Sequence, residues 1–129
     1  MRIKESAENY LETIYMLENK NEGRVRSIDI AKNLAFSKAS VSVAMKNLRE
    51  GGFIIIEESG NIVLTKSGRT VAEQMYERHI ILTEWLTEMG VERQTAIEDA
   101  CRMEHFISKD SFEAIKGHIE AEINAKKKI

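Results

Sequence analysis

The sequence predicts a mostly α fold in two parts: a three-helix unit closed by a short β-hairpin, then a longer helical unit. Three observations predict it. Apolar residues recur at helical spacing in six segments of the chain. There is no proline, and only seven glycines occur among 129 residues, which favours long helices with few breaks. One pair of β-branched runs, Phe53-Ile54-Ile55-Ile56 and Ile62-Val63-Leu64, flanks the turn residues Glu57-Glu58-Ser59-Gly60-Asn61.

Composition bounds the function. Hydrophobic content is 43% and charged content 31%, ordinary for a globular protein that lives in water. No apolar run approaches the ~18 residues that span a bilayer. Met1-Arg-Ile-Lys-Glu has no apolar core, so no signal peptide is expected. A single cysteine allows no internal disulfide and fits a reducing cytoplasm. The net charge of −2 argues against indiscriminate coating of nucleic acid. Charge is unevenly placed, however. From Lys20 to Arg49, seven Lys or Arg stand against Glu22 and Asp29, a local balance of +5 that leaves −7 for the remainder. A basic block in an acidic chain marks where a polyanion docks.

The first helix is expected from Ser6 to Glu18, with Ala7, Leu11, Ile14 and Leu17 as its apolar stripe. Asn9 and Glu12 lie three apart on an adjacent face and read, by themselves, as a solvated polar flank. Asn21-Glu22-Gly23 breaks the helix. Ser27 reads as an N-cap for a short helix, Ile28 to Leu34, with Ile28, Ala31 and Leu34 inward. Ala35-Phe36 is a turn. Ser37 caps the next helix, Lys38 to about Glu50, which buries Val41, Ala44, Met45 and Leu48. Lys38, Ser40, Ser42, Lys46 and Arg49 are left outside.

Two short helices joined by a tight turn, the second opening on hydroxyl residues and ending basic, form the helix-turn-helix pattern. Small hydroxyl side chains near the start of the second helix approach base edges, and Lys and Arg contact phosphates. Gly51-Gly52 ends that helix, and the β-hairpin follows at once as a wing. Helix, helix-turn-helix and wing in this order make a winged helix.

Thr65 is placed to cap a helix running to about Met89. Val71, Met75, His79, Leu82, Leu86 and Met89 recur at spacings of 4, 4, 3, 4 and 3, a coiled-coil-like stripe. Ile81 and Trp85 add a second apolar face, which calls for a partner, most simply a second copy of the chain. His79, by its place in the stripe, reads as a satisfied core histidine. Gly90 ends this helix. Val91 to Ile107 is the next, with Ala96, Ala100, Met103 and Ile107 apolar. Ser108 caps a last helix, about Lys109 to Asn124, with Phe112, Ile115 and Ile119 inward. His118 has no evident partner, and Lys126-Lys127-Lys128 is expected to fray.

One cluster carries chemistry. Cys101, Glu104 and His105 are related as i, i+3 and i+4, so a thiol, a carboxylate and an imidazole share a helix face. Such a set suits a divalent metal. The same residues also fit a bland reading, a small packed cysteine and a solvated Glu–His pair. No phosphate-cradling glycine motif or nucleophile–base pair points to catalysis.

Taken together, these stretches resemble the diphtheria toxin repressor family, which includes the manganese transport repressors. The matching stretches are Glu8-Asn9-Tyr10-Leu11-Glu12-Thr13-Ile14-Tyr15, Ile28-Asp29-Ile30-Ala31, Ser37 to Ser42, Leu64-Thr65-Lys66-Ser67-Gly68, Arg78-His79 and Asp99-Ala100-Cys101-Arg102-Met103-Glu104-His105. The resemblance implies a homodimeric, metal-activated DNA-binding repressor of the cytoplasm. It implies a winged-helix DNA-binding domain over 1–64 and a helical dimerisation and metal-binding domain over 65–129. The iron-type members carry a further SH3-like domain, for which this chain is too short, so its architecture is similar to the manganese type. One family metal site falls on Asn9, Cys101, Glu104 and His105. A second falls on Glu12 and His79, with Glu104 able to bridge. The DNA-facing positions are Ser27, Ser37, Lys38, Ala39, Ser40, Ser42, Lys46 and Arg49, read against a palindromic double-stranded operator.

Two departures make the chain a hybrid. The manganese type has aspartate at Asn9 and glutamate at Cys101. The iron type has methionine at Asn9 and shares the cysteine. Asparagine offers one neutral oxygen and binds a cation less strongly than a carboxylate. A thiolate is softer than oxygen and shifts preference from Mn²⁺ toward Fe²⁺, Co²⁺, Ni²⁺ or Zn²⁺. The cofactor implied is a divalent transition metal, Mn²⁺ or Fe²⁺ first, with Co²⁺, Ni²⁺ or Zn²⁺ as the other candidates. Val43 stands where the iron type has glutamine, so the operator cannot be borrowed. Two other classes compete: a winged-helix regulator sensing a small organic ligand, redox state or protein partner, and a zinc hydrolase on Cys101, Glu104, His105 and His79. The second lacks a visible further base.

Overall fold

A computed structural model describes residues 5–127. Residues 1–4, where no leader was expected, and Lys128 of the lysine tail lie outside the described residues. The order is α1 (Glu5–Lys20), α2 (Ser27–Leu34), α3 (Lys38–Glu50), β1 (Ile54–Ile56), β2 (Ile62–Leu64), α4 (Lys66–Glu88), α5 (Arg93–Phe106) and α6 (Lys109–Lys127). Residues up to Tyr76 form one compact unit, and those from Glu77 onward form a second.

The first unit is the expected winged helix. Its core gathers Leu11, Ile14 and Leu17 of α1, Ile30 and Ala31 of α2, Val41, Met45 and Leu48 of α3, and Ile54, Ile62 and Leu64 of the wing. The wing is antiparallel, with Ile54 opposite Leu64 and Ile56 opposite Ile62. Val25 extends it. Its carbonyl accepts from Ile62 N at 2.7 Å, and its own N–H donates to Asn61 Oδ1 at 2.8 Å. At the hairpin turn Gly60 adopts φ 90°, a conformation that side chains disfavour.

The α2–α3 region carries the main corrections. Ser27 is not the cap of α2 but its first residue. Arg26 holds the cap position, and Asp29 reaches back to accept from Arg26 N at 2.9 Å. A carboxylate three residues into the helix satisfies an orphan donor that serine was expected to serve. Ile28, expected inward, is exposed, and Ile30 is buried instead. Ser37 does cap α3, accepting from Ser40 N at 3.1 Å. The turn between the helices places Ala35 in the left-handed region at φ 57°.

Thr65 caps α4 as expected, its Oγ1 accepting from Gly68 N at 3.2 Å. Gly68 packs against the backbone of Phe53, where a Cβ would collide with the Phe53 carbonyl oxygen. The close approach of α4 to the wing therefore requires glycine.

In the second unit, Leu82, Ala100 and Phe112 are buried, with Ile81, Trp85, Met103, Ile107 and Ile115 packed around them. Met89, expected in the buried stripe, lies just past the end of α4 and is 57% exposed. The start of α5 is Arg93 rather than Val91, because Glu92 is the cap. Its carboxylate accepts from Thr95 N at 3.0 Å and Gln94 N at 3.2 Å, and these bonds hold its carboxyl below the usual value. Ser108 caps α6 by accepting from Ser111 N at 3.0 Å. That helix continues through Lys126, expected to fray, whose Nζ lies 3.8 Å from Glu88. His118 is exposed as expected, yet it has a partner: its Nε2 lies 3.3 Å from Glu122 one turn along α6. Lys116 Nζ donates to Glu77 Oε1 at 2.7 Å, tying α6 to α4.

Candidate metal centre

Glu104 is the centre of the second unit's chemistry. It lies on α5 one turn after Ala100, and that helix turns Ala96, Ala100 and Glu104 inward together. Its side chain has no exposed surface. Burial of a carboxylate costs several kcal/mol unless charge and hydrogen bonds offset it. Two imidazoles stand against it. His79 Nδ1 of α4 is 3.2 Å from Glu104 Oε2, and His105 Nε2 is 3.3 Å from Oε1. Cys101, one turn earlier on α5, brings a thiol from the exposed side. One ligand atom each from His79, Cys101 and Glu104 lie within 4.8 Å of one another.

These donors fit a divalent cation. Imidazole nitrogen, thiolate and carboxylate are the ligand types of first-row transition metals, and the three atoms are close enough to face one ion. A carboxylate held between imidazoles can also give one oxygen to each of two ions. The spacing of Cys101, Glu104 and His105 foresaw part of this set. His79, which its place in the apolar stripe suggested was a core histidine, faces Glu104 instead. Of the α1 residues, Glu12 is buried, and Asn9 is half-buried with its carbonyl accepting from Thr13 Oγ1 at 2.8 Å.

One positioning residue escaped the sequence reading. Arg78 Nη1 donates to the carbonyls of Glu104 at 3.0 Å and Ile107 at 2.9 Å, and its guanidinium lies 5.3 Å from the centroid of the Phe112 ring. It satisfies orphan carbonyls at the end of α5 and fixes the backbone that carries Glu104 and His105. The Arg78-His79 pair was the available signal, since adjacent residues of α4 serve the same turn of α5.

On the first unit, the cap residue Ser37 and Lys38, Ala39, Ser40, Ser42, Lys46 and Arg49 of α3 are all exposed, and Ser27 is half-buried. Ser37 Oγ donates to Ser40 Oγ at 2.9 Å. Val43, which faces outward among them, is 61% exposed.

A winged helix with a hydroxyl- and lysine-rich outer face, followed by helices that set two imidazoles and a thiol around a buried carboxylate, defines the class: a DNA-binding regulator with a metal-holding unit. Residues 2–62 match the iron dependent repressor N-terminal DNA binding domain, and residues 65–121 match the iron dependent repressor metal binding and dimerisation domain. The chain belongs to the iron-dependent repressor family.

Its relatives agree. An HTH-type transcriptional regulator of Methanocaldococcus jannaschii is 31% identical over 117 residues, which cover 90% of this chain and 94% of that one. The HTH-type transcriptional regulator MntR of Bacillus subtilis is 33% identical over 110 residues, covering 85% of this chain and 77% of MntR. A manganese-dependent transcriptional repressor solved in complex with manganese superposes with a TM-score of 0.81 at 26% identity, over 88% of this chain and 52% of that one. The manganese regulator SloR has the same fold, with a TM-score of 0.79 at 22% identity over 93% of this chain and 55% of SloR. The chain thus spans about half the length of these two solved structures.

Proposed function

We propose that this chain is a cytoplasmic, homodimeric transcriptional repressor whose affinity for a palindromic operator rises when a divalent metal binds. The observation that carries the reading is Glu104, a fully buried carboxylate with His79 and His105 against its two oxygens. A carboxylate placed so, with a thiol beside it, is suited to a cation. Among the described residues no helix is long and apolar enough to cross a membrane. The chain is read as a regulator rather than an enzyme, because its matched domains are those of repressors.

The ligand set is His79, Cys101, Glu104 and His105, joined by Asn9 and Glu12 of α1, as the family resemblance implies. Bound there, a divalent cation supplies charge that offsets the buried carboxylate and a point on which the donors converge. Arg78 holds the α5 backbone so that Glu104 and His105 keep their positions. Because the set draws on α1 as well as α4 and α5, holding it together restrains the reading helices of a dimer. They must stand about 34 Å apart to enter successive major grooves. Residues 1–64 are assigned to DNA binding and 65–129 to dimerisation and metal. Ser37, Ala39 and Ser40 face bases, with Ser27 and Ser42 alongside, and Lys38, Lys46 and Arg49 meet phosphates.

The assignment is tested by metal analysis of the Glu104→Ala and His105→Ala proteins beside the parent. Loss of bound metal is expected in both, and unchanged stoichiometry and affinity in both would overturn it. Sedimentation at micromolar concentration tests the dimer, which a monomer with and without metal would refute.

A further inference from the structure

Val43 is an unusual residue for its place. It is the sixth residue of α3, 61% exposed, on a face otherwise made of Ala39, Ser40, Lys46 and Asn47. The core side of α3 is already filled by Val41, Met45 and Leu48. Val43 thus leaves a branched apolar side chain in water where the helix gains nothing from it.

We propose that Val43 is a specificity-determining residue of α3 and reads the 5-methyl group of a thymine in the major groove. The inference rests on the DNA-binding reading above. Thymine is the one base that presents a methyl group there, so an apolar side chain on the groove-facing surface has a single apolar target. Ala39 lies one turn earlier on the same face and adds its own methyl. The neighbouring hydroxyls discriminate weakly. A serine hydroxyl pairs with either a donor or an acceptor. Those of Ser37 and Ser40 are bonded to each other at 2.9 Å, and Ser37 Oγ also caps the helix. Lys38, Lys46 and Arg49 are exposed on α3 and supply phosphate attraction that carries no sequence information. Asn47, one turn later on the same face, can pair with adenine, so Val43 is the larger apolar group there and the one suited to a thymine methyl.

The test starts from duplexes selected out of a randomised library by the full chain in the presence of Mn²⁺. Each thymine of the selected half-site is then replaced by deoxyuridine, which removes the methyl and nothing else. At one position per half-site the replacement should weaken binding of the parent about fourfold, the factor given by burying one methylene-sized group. Val43→Ala, at an exposed site, should bind the thymine and uracil duplexes alike. Val43→Thr keeps the shape, sets a hydroxyl against the methyl, and should lose most of the preference. Indifference of the parent to uracil at every position would overturn the role of Val43, as would an undiminished preference in Val43→Ala. Failure to select any duplex would overturn the DNA-binding reading itself, a result distinct from a selected duplex that ignores the methyl.

Discussion

His79 Nδ1 and Glu104 Oε2 lie 3.2 Å apart, the first on α4 and the second on α5, with no solvent at the carboxylate. Burying a carboxylate costs stability to the extent that its partners do not offset its charge, and a bound cation would add to that offset. Metal at about 100 times its Kd should therefore stabilise the parent by roughly 2.7 kcal/mol. Glu104→Gln keeps the shape and removes the charge. Its metal-free melting temperature should match or exceed that of the parent, while the metal-induced rise should vanish. Calorimetry with and without Mn²⁺ reads both, and a full metal-induced rise in Glu104→Gln would contradict the assignment.

Arg78 should matter to metal binding although it is no ligand. Arg78→Met removes two hydrogen bonds to the Glu104 and Ile107 carbonyls and the stacking on Phe112. A loss of about 2–4 kcal/mol in urea unfolding is expected, given about 1.5–3 kcal/mol for a charged hydrogen bond. Metal affinity should fall with it. Arg78→Lys should restore only part of either, since both bonds leave the single nitrogen Nη1, which an ammonium can imitate, while the planar guanidinium over Phe112 is lost.

Gly68→Ala and Gly117→Ala should act in opposite directions. At Gly68 a Cβ meets the Phe53 carbonyl, so the wing or α4 must shift, at about 1–3 kcal/mol. Gly117 lies within α6 with nothing near its Cβ position, so alanine there should stabilise by about 0.5–1 kcal/mol through helix propensity. Denaturant midpoints of the two proteins decide it.

Cys101 should set the order of metals. Cys101→Ser replaces a soft ligand with a harder one. Affinity for Co²⁺ and Zn²⁺ should fall more than affinity for Mn²⁺. Competition titrations check this: equal losses for all three ions would contradict the metal order, and unchanged affinity for all three would remove Cys101 from the ligand set.

The bounds of α3 are legible in the sequence because a strong cap, Ser37, and four apolar positions agree on one phase. Those of α2 are less so. An eight-residue helix holds too few apolar residues to fix its phase, so Ile28 and Ile30 compete, and Asp29 outranks Ser27 by reaching back to Arg26. Half of the candidate site is legible for a similar reason. Cys101, Glu104 and His105 declare themselves by i, i+3, i+4 spacing within one helix. His79 does not, because it meets Glu104 only once α4 and α5 have packed, and its role came from resemblance. Arg78 and Gly68 stay hidden because their partners are backbone carbonyls, which no residue code reveals. His118 was a missed signal of the legible kind, since Glu122 stands one turn away.

The linkage between metal and DNA is tested most directly by fluorescence anisotropy on a selected duplex at fixed ionic strength, with Mn²⁺ or with chelator. Coupling of ~1–3 kcal/mol corresponds to roughly 5–150-fold tighter binding with metal, which is the expected result. Equal affinity in both, for a protein shown to be loaded in one and empty in the other, would contradict a metal switch and leave a constitutive winged-helix binder.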